Sequence, residues 1–201
     1  MAADPTAADR VARAITERAL GGFALISIDG TGGSGKSALA RVVAGRLAGT
    51  GLVTIVHGDD FYRPMAAHDR LLLSPQDGYQ RYFDWQRLRD QVLIPLASGT
   101  AAEYQRYDWP AHQLAAGEWH RVPGSGAVIV EGVYSARPEL QDYYDLTVWV
   151  EAPREVCLRR LADRGHDHGP GNWAERWRAA EEHYVAATRP RARLDLTVRG
   201  Y

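Results

Sequence analysis

Two kinds of apolar pattern alternate along this chain and predict its secondary structure. Apolar runs typical of buried strands occur at 23–29, 52–57, 127–130, 146–150 and 194–198. Apolar residues at helical spacing predict helices at 8–20, 37–44, 85–97, 154–164 and 173–187. Strands that alternate with helices favour parallel pairing. We therefore predict an α/β fold of three layers, with a mostly parallel central sheet of about five strands covered on both faces.

Three segments stand outside this alternation. Residues 1–22 hold the first helix, which a Gly-Gly pair ends. Residues 63–82 are polar and aromatic and show no clear period, which predicts an irregular excursion with room for one short helical turn. Within residues 101–122, short runs at 102–107 and 118–122 predict a small antiparallel pair, a flap that stands off the main sheet.

Length and charge narrow the kinds of partner. At 201 residues the chain has the size of one α/β domain, so we expect residues 1–201 to form a single domain. The 24 basic and 25 acidic residues leave a formal net charge of −1, which argues against nucleic acid or an anionic membrane as a partner. No stretch approaches the ~20 apolar residues of a membrane span. Any anion binding must therefore come from a local cluster of donors.

The cysteine content and the first residues favour the cytoplasm. Cys157 is the single cysteine, so it cannot form a disulfide within the chain. It falls on the apolar spacing of a predicted helix, which is typical of a buried filler rather than a nucleophile. Residues 1–18 mix charged side chains with alanines and lack the apolar stretch of a secretion signal. We expect a cytoplasmic protein.

A glycine-rich segment between the first strand and the next helix has the pattern of a phosphate-binding loop. Its glycines let the backbone curl so that successive N–H groups point at phosphate oxygens. Lys36 supplies a cation for the outer phosphates, and the Ser37 hydroxyl can bind Mg²⁺. The flanking strand and helix favour this interpretation over a turn with a chance Lys-Ser pair, so we predict that the chain binds ATP or GTP. The residues predicted to hold the nucleotide are Gly30, Gly32, Gly33, Ser34, Gly35, Lys36 and Ser37.

Two acidic residues follow the second predicted strand. Asp59 and Asp60 stand at the carboxyl end of that strand, where α/β proteins keep their sites. A carboxylate there can face a triphosphate and accept the proton of an attacking hydroxyl. Asp59 is therefore the predicted base, although the pair can also simply open a turn or cap a helix.

Another acid and a group of arginines complete the predicted phosphate chemistry. Glu131 follows the apolar run 127–130, where phosphate-loop proteins place an acid that holds Mg²⁺, so Ser37 and Glu131 are the predicted metal ligands. Arginines crowd the helix at 154–164. Arginines in a closing lid can neutralise the moving phosphoryl group, but they can also form a solvated helix face. We assign Arg160 and Arg164 to catalysis with Lys36, and Arg159 to the nucleotide.

The order of these motifs resembles that of the uridine kinase family. Besides the phosphate loop, the motifs are Gly58-Asp59-Asp60-Phe61-Tyr62, Tyr82-Phe83-Asp84-Trp85, Tyr104-Gln105-Arg106-Tyr107-Asp108-Trp109 with His112, Val130-Glu131-Gly132-Val133-Tyr134 and the arginine-rich helix. The wider group includes phosphoribulokinase, pantothenate kinase and nicotinamide riboside kinase. The similarity runs from about Phe23 to Val198. It implies the fold of P-loop NTPases, with an acceptor-site flap at 101–122 and an arginine-bearing lid at 159–173.

The resemblance also implies roles for matching residues. Asp59 matches the carboxylate that takes the proton from a ribose 5′-hydroxyl, and Glu131 matches a metal-linked acid. Asp84 matches the acid that grips ribose hydroxyls, and Tyr107 and His112 resemble the pair that reads a pyrimidine base. The predicted substrate-binding residues are Tyr62, Tyr82, Asp84, Tyr107 and His112. Tyr107 and His112 can instead pack within the flap, and Asp84 can instead cap the next helix.

Parts of the chain depart from the family pattern. The lid segment is shorter and differently filled, which leaves the roles of its arginines open. Residues 166–168 (His-Asp-His) carry metal-ligating side chains, but a solvated loop fits them better because zinc sites usually use three or four ligands at defined spacing. Trp85 and Trp109 can reshape the acceptor pocket, so a different hydroxylated acceptor is an alternative.

Taken together, the motifs predict a small-molecule kinase that uses ATP or GTP with Mg²⁺. The leading acceptor is the 5′-hydroxyl of a nucleoside, uridine or cytidine. The alternatives are another metabolite alcohol, such as nicotinamide riboside or pantothenate, and a nucleotide-dependent regulatory switch. A nucleic-acid motor is disfavoured because the chain is short and nearly neutral and has no basic stripe. The sequence specifies no oligomeric state.

Overall fold

Five parallel strands form the central sheet. The computed structural model describes residues 5–49, 51–165 and 172–200. The strands of this sheet are β1 (Phe23–Asp29), β2 (Val53–His57), β5 (Gly126–Glu131), β6 (Leu146–Glu151) and β7 (Leu196–Arg199). Their order is β2-β5-β1-β6-β7, and every neighbouring pair runs parallel. The predicted α/β fold with a parallel sheet of five strands is confirmed.

A separate antiparallel pair forms the flap. It joins β3 (Ala102–Asp108) to β4 (Gln113–Val122). Both strands are longer than the runs predicted, because residue 108 and residues 113–117 extend the ladder toward the turn of the flap. The register shifts between Gln105 and Tyr107, an irregularity that bends the strand locally.

Helices surround the sheet. They are α1 (Pro5–Arg18), α2 (Lys36–Leu47), α3 (Ala67–Leu72), α4 (Pro75–Arg81), α5 (Trp85–Leu88), α6 (Ile94–Ala97), α7 (Arg154–Arg164), α8 (Trp173–Thr188) and α9 (Pro190–Arg193). A π-helical stretch, Arg89–Leu93, joins α5 to α6, and 3-10 turns occupy Ala19–Gly21, Gly58–Phe61 and Pro138–Tyr143. In the part of the chain that the structure describes, none of these helices is long and apolar enough to span a bilayer.

Alternate side chains of the strands feed two hydrophobic cores. In β1, Leu25 belongs to one core, whereas Ala24, Ile26 and Ile28 belong to the other, as the two-residue period of a strand requires. One core packs the sheet against α1 and α2. The other packs it against α4, α8 and the helical segment 85–97. The sheet is the middle of three layers, as predicted.

The segment predicted to be irregular, 63–82, contains two helices, so that prediction was wrong. The start of α4 is marked by Ser74, whose hydroxyl accepts a hydrogen bond from the Asp77 N–H at 3.1 Å, and by Pro75 in the first turn. Gly78 obscured the helical pattern. A Cβ there would lie 3.1 Å from the Ala180 Cβ, so the glycine allows α4 and α8 to approach closely.

The parallel sheet gathers polar residues at one edge. The glycine-rich loop follows β1, the turn Gly58–Phe61 follows β2, and β5 ends at Glu131. In the register of the sheet, Glu131 is paired with His57 of β2 and with Ile28 of β1. Carboxyl ends of neighbouring parallel strands form the crevice where α/β proteins bind ligands.

Candidate active site

The loop Gly30–Ser37 has the curled backbone that its sequence predicts. Gly33 and Gly35 have φ angles of 78° and 98°, in the region that favours glycine. A Cβ on Gly35 would lie 2.2 Å from the carbonyl oxygen of Gly200, so no larger residue fits without backbone movement. Helix α2 begins at Lys36, and its first N–H groups have no partner within the helix. The segment is therefore suited to cradle phosphate oxygens.

Lys36 lies among several carboxylates. The residue is 9% exposed, and its Nζ donates a hydrogen bond to the carbonyl oxygen of Thr31 at 3.2 Å. Burial favours the protonated form of the surrounding carboxyl groups and so acts to raise each pKa, whereas the positive charge of Lys36 acts to lower it. These groups are Asp29, Asp59, Glu131 and Glu181. The lysine is thus a shared counter-charge for acids at the sheet edge.

The two predicted metal ligands lie together. The Ser37 hydroxyl donates a hydrogen bond to Glu131 at 2.9 Å, and His57 Nδ1 lies 2.7 Å from the other carboxylate oxygen. Burial alone would raise the pKa of Glu131, but the bonds from His57 and Ser37 and the charge of Lys36 outweigh it and lower the pKa. An ionised carboxylate beside a hydroxyl suits Mg²⁺, which prefers hard oxygen ligands.

A complete metal cage is not built from protein side chains in the described ranges 5–49, 51–165 and 172–200. No group of three or more His, Cys, Asp or Glu residues there could hold an ion. Mg²⁺ in phosphate-transfer sites is usually bound by one or two protein ligands, waters and substrate phosphates. The pair formed by Ser37 and Glu131 fits that pattern.

Asp59 and Asp60 have different surroundings. Asp60 accepts a hydrogen bond from the Tyr104 hydroxyl at 3.0 Å and pairs with Arg106 at 3.5 Å, so it fastens the turn to the flap. Asp59 does not cap its turn, and no hydrogen bond or ion pair ties its side chain to the described residues. The residue reaches solvent, yet the surrounding protein removes enough water to raise the pKa of its carboxyl group. Such a carboxylate suits a general base.

Asp84 is engaged by the protein itself. It caps α5 by accepting a hydrogen bond from the Arg87 N–H at 3.4 Å. Its carboxylate also pairs with Arg63 at 3.2 Å and with the Arg87 side chain at 3.6 Å. The structure therefore shows Asp84 as the cap of α5, the alternative that the sequence left open. A role in binding ribose hydroxyls stays a prediction.

Three of the predicted substrate residues lie in one aromatic cluster. Tyr62, Tyr82 and Tyr107 are 7%, 3% and 1% exposed. Their rings pack against three tryptophans, Trp109, Trp173 and Trp177. The Tyr107 hydroxyl accepts a hydrogen bond from Arg70 at 3.1 Å. In this conformation Tyr107 has no open ring face for a base to stack on.

His112 lies in the turn between β3 and β4. It is exposed, and its φ of 53° is in the left-handed region, which is uncommon for residues other than glycine. It lines a cavity of about 420 Å³ together with Arg70 and Trp173. The prediction that Tyr107 and His112 together recognise a pyrimidine base stays a prediction.

Arg160 contacts the backbone of the glycine-rich loop. Its guanidinium donates hydrogen bonds to the carbonyl oxygens of Gly33 and Gly200, both at 3.1 Å, and so ties the loop to the residue after β7. Arg159 and Arg164 are exposed on α7. The metal alternative at 166–168 lies outside the described residues. The roles assigned to the lid arginines stay predictions.

Asp29 has a role that the sequence analysis did not predict. One of its oxygens accepts hydrogen bonds from the N–H groups of Gly30 at 2.6 Å and Tyr134 at 3.1 Å. The other accepts the Ala136 N–H at 2.9 Å and the Tyr184 hydroxyl at 2.7 Å. This buried carboxylate fixes the start of the loop against the segment after β5. Its position as the last residue of β1 was the available signal.

Glu181 of α8 is a second residue that the sequence analysis missed. Both carboxylate oxygens lie 3.1 Å from the Gly32 nitrogen, and Trp177 Nε1 donates to one of them at 2.6 Å. The residue is 4% exposed, and burial raises its pKa to about 7. The carboxylate therefore occupies a loop N–H that a phosphate oxygen would use.

We expect Glu181→Gln to stabilise the protein at alkaline pH. Because its pKa of about 7 exceeds the ordinary value of 4.5, the folded state holds the proton more tightly than the unfolded state. The cost of the buried charge is absent well below pH 4.5 and is complete above about pH 7, where it is on the order of 3 kcal/mol. Glutamine removes the charge and keeps an oxygen for the Gly32 N–H. Thermal unfolding at about pH 5 and about pH 8 measures the difference.

Glu182→Gln is the matched control for this prediction. Glu182 is the next residue, is exposed and pairs with Arg154 at 3.0 Å on the surface. Exposed pairs of this kind contribute little to stability. An increase in stability at alkaline pH that is equal in the two variants, or absent in Glu181→Gln, would contradict the prediction.

Known proteins share this fold and sequence pattern. The model of the Phosphoribulokinase / Uridine kinase family matches residues 25–196. A uridine kinase of Deinococcus deserti is 30% identical over 148 residues, which are 72% of this chain and 70% of that protein. A uridine kinase of Shewanella denitrificans is 28% identical over 147 residues, 68% of this chain and 66% of that protein.

The fold likeness extends over nearly the whole chain. The solved structure of a possible uridine kinase from Bacillus stearothermophilus has a TM-score of 0.74 at 21% identity, and covers 96% of this chain and 97% of that one. The architecture agrees with the sequence match and with the glycine-rich loop at the sheet edge. The chain therefore belongs to the phosphoribulokinase/uridine kinase family of small-molecule kinases.

Proposed function

We propose that this chain transfers the γ-phosphoryl group of ATP or GTP to a hydroxyl group of a small-molecule alcohol, with Asp59 as the general base. The observation that carries the proposal is the state of Asp59. Its carboxylate forms no hydrogen bond or ion pair with the described residues, the residue reaches solvent, and the pKa of the carboxyl group is raised. It also stands at the same sheet edge as the glycine-rich loop, and the charge of Lys36 acts on it. Its neighbour Asp60 is held by the flap.

Each part of the proposed site has its own task. The loop N–H groups and Lys36 bind and orient the phosphates. Ser37 and Glu131 would hold Mg²⁺, which supplies charge stabilisation to the transferred group when bound. Asp59 accepts the proton of the attacking hydroxyl while the hydroxyl oxygen bonds to the γ-phosphorus and the bond between the γ-phosphorus and the departing ADP or GDP breaks.

A nucleoside is the first acceptor candidate. The proteins named uridine kinases match more than two thirds of this chain, which supports uridine or cytidine. His112 lines an open cavity beside the flap, where an imidazole can donate or accept a hydrogen bond at a base edge. The 5′-hydroxyl would then be the group that Asp59 activates.

A non-nucleoside alcohol is the second candidate, and two residues favour it. Tyr107 is 1% exposed and is hydrogen-bonded to Arg70. The Asp84 carboxylate already caps α5 and pairs with Arg63 and Arg87. A nucleoside that used both residues would have to displace these contacts. A different alcohol needs neither.

A phosphorylation screen tests the proposed function. The protein is incubated with MgATP or MgGTP and with uridine, cytidine, nicotinamide riboside, pantothenate and further sugars and hydroxy acids. The formation of ADP or GDP and the thermal stability of the protein are measured. We expect at least one alcohol to raise the rate of ADP or GDP formation well above the rate of nucleotide hydrolysis without an acceptor, and to stabilise the fold. Slow hydrolysis that no alcohol changes would contradict a kinase and favour the regulatory switch.

A further inference from the structure

The cavity beside the flap has a basic, apolar lining. Its volume is about 420 Å³, within the range of pockets for small ligands. Arg70, His112 and Trp173 line it together with apolar residues of the segment 64–71. Among the described residues that line it, none is acidic. A neutral or anionic group can therefore enter it without charge repulsion.

Arg70 is buried, and no carboxylate of the described residues pairs with it. The residue is 6% exposed. Its Nη2 donates to the Tyr107 hydroxyl at 3.1 Å and lies 3.5 Å from the Met65 carbonyl oxygen, and its guanidinium carbon lies 5.0 Å from the centre of the Trp173 ring. These contacts compensate the charge only in part, since buried charges are normally paired with an opposite charge. Within the described part of the chain, Arg70 forms no salt bridge.

Two other arginines with buried side chains do have carboxylate partners. Arg137 is fully buried and pairs with Glu139 at 2.8 Å. Arg87 pairs with Asp84 at 3.6 Å. Arg70 differs from them, and it is also the one of the three that lines the cavity. An anionic ligand in the cavity can therefore supply the counter-charge that the described residues do not.

His112, in the turn between β3 and β4, lines the same cavity. Its left-handed backbone, with φ of 53°, is a strained conformation for a residue with a side chain. Strain of this kind persists where the surrounding structure or function requires it. The imidazole can add a second donor next to the guanidinium.

Tyr62 links this cavity to the proposed base. Its ring packs 5.8 Å from the ring of Tyr107, whose hydroxyl is bonded to Arg70. The charges of both Asp59 and Arg70 act on the Tyr62 phenol. Pro64 of the cavity wall also follows Asp59 closely in the chain. Asp59 and the cavity therefore lie on neighbouring sides of Tyr62.

We propose that this cavity binds an anionic group of the acceptor, a carboxylate or a phosphate, so that the alcohol phosphorylated by this chain is acidic. Arg70 binds the anion with its planar N–H groups, which match carboxylate and phosphate oxygens. His112 adds a hydrogen bond, and the apolar wall holds the carbon skeleton. The inference rests on the proposed kinase function and selects among its acceptors.

Three sets of alcohols test the inference with the wild-type protein and MgATP. They are hydroxy acids, sugar phosphates, and neutral nucleosides and polyols. We expect one of the two acidic sets to contain the acceptor with the highest kcat/KM, and its members identify the anion as carboxylate or phosphate. For that acceptor, Arg70→Met is expected to lower kcat/KM by about 10- to 100-fold, mainly through KM. Arg70→Lys should recover part of the loss.

Two more variants, one in the cavity and one outside it, show whether the effect on KM comes from the cavity. His112→Gly suits the left-handed backbone and so should fold, and it should raise KM for the acidic acceptor by a smaller factor than Arg70→Met. Arg81→Met is the matched control, because Arg81 is exposed at the end of α4 and does not line the cavity. It should leave KM unchanged. If Arg70→Met does not fold, Arg70→Lys and His112→Gly carry the comparison.

The outcomes separate this inference from the proposed function. A neutral alcohol as the best acceptor, with KM unchanged in the Arg70 and His112 variants, would overturn the acidic acceptor and leave the kinase standing. Equal KM changes in Arg81→Met would also overturn it. Failure of every alcohol in the three sets to raise ADP formation would overturn the proposed function, and the inference with it.

Discussion

Asp59→Asn is expected to lower kcat by about 10²- to 10⁴-fold and to leave nucleotide affinity nearly unchanged. Asparagine has the shape of aspartate but cannot take the proton of the acceptor hydroxyl. Because Asp59 forms no hydrogen bond or ion pair with the described residues, its replacement should not disturb the glycine-rich loop. Steady-state kinetics with the best acceptor and calorimetric titration with nucleotide measure the two quantities.

Asp60→Asn is the matched control for this variant. It carries the same change one residue along the chain, but it weakens the contacts with Tyr104 and Arg106 that hold the flap. We expect it to raise the KM of the acceptor more than it lowers kcat. Turnover near the wild-type level in Asp59→Asn would remove Asp59 as the base, and equal losses of kcat in both variants would assign the effect to the flap.

Lys36→Ala is expected to damage both catalysis and nucleotide binding. Lys36 is the only lysine of the chain, and its charge acts on the surrounding carboxyl groups of Asp59, Glu131 and Glu181. Without it, a triphosphate would meet these acids with no counter-charge from the loop. We expect nucleotide affinity to fall about 10-fold or more and kcat to fall at least ~10²-fold.

The single lysine also allows a direct readout in the wild-type protein. Acylation with an amine-selective reagent, followed by mass spectrometry of the Lys36 peptide, should be slower in the presence of MgATP. Ser37→Ala is a matched control at the next position, which removes a predicted metal ligand and keeps the charge. Nucleotide affinity within about 3-fold of wild type in Lys36→Ala, together with unprotected Lys36, would mean that the loop does not hold the nucleotide.

Features that depend on neighbouring residues in the chain were predicted from the sequence. The loop between β1 and α2 is one, because its glycines and its flanking apolar patterns are contiguous. Ser37 and Glu131 were each singled out by the apolar run beside them, and the parallel sheet brings the two side chains together. The sheet of five strands followed from the same patterns.

Features that depend on packing between distant segments were not predicted. Asp59 was predicted as the base, but the contacts that tie its chemically identical neighbour Asp60 to the flap are visible only in the structure. Glu181 lies on a helix far along the chain from Gly32, so its contact with the loop depends on how α8 crosses the sheet. Arg70 lies in a segment that was predicted to be irregular, and only the structure shows that none of the described carboxylates pairs with it.

A crystal structure with Mg²⁺ and a non-hydrolysable ATP analogue would show whether Asp59 faces a bound triphosphate. We expect the triphosphate in the loop Gly30–Ser37, the Asp59 carboxylate facing the terminal phosphate across an open space, and the hydrogen bond between Glu181 and the Gly32 N–H broken. A terminal phosphate bound elsewhere, or an Asp59 carboxylate turned away from it behind packed apolar side chains, would rule out Asp59 as the base.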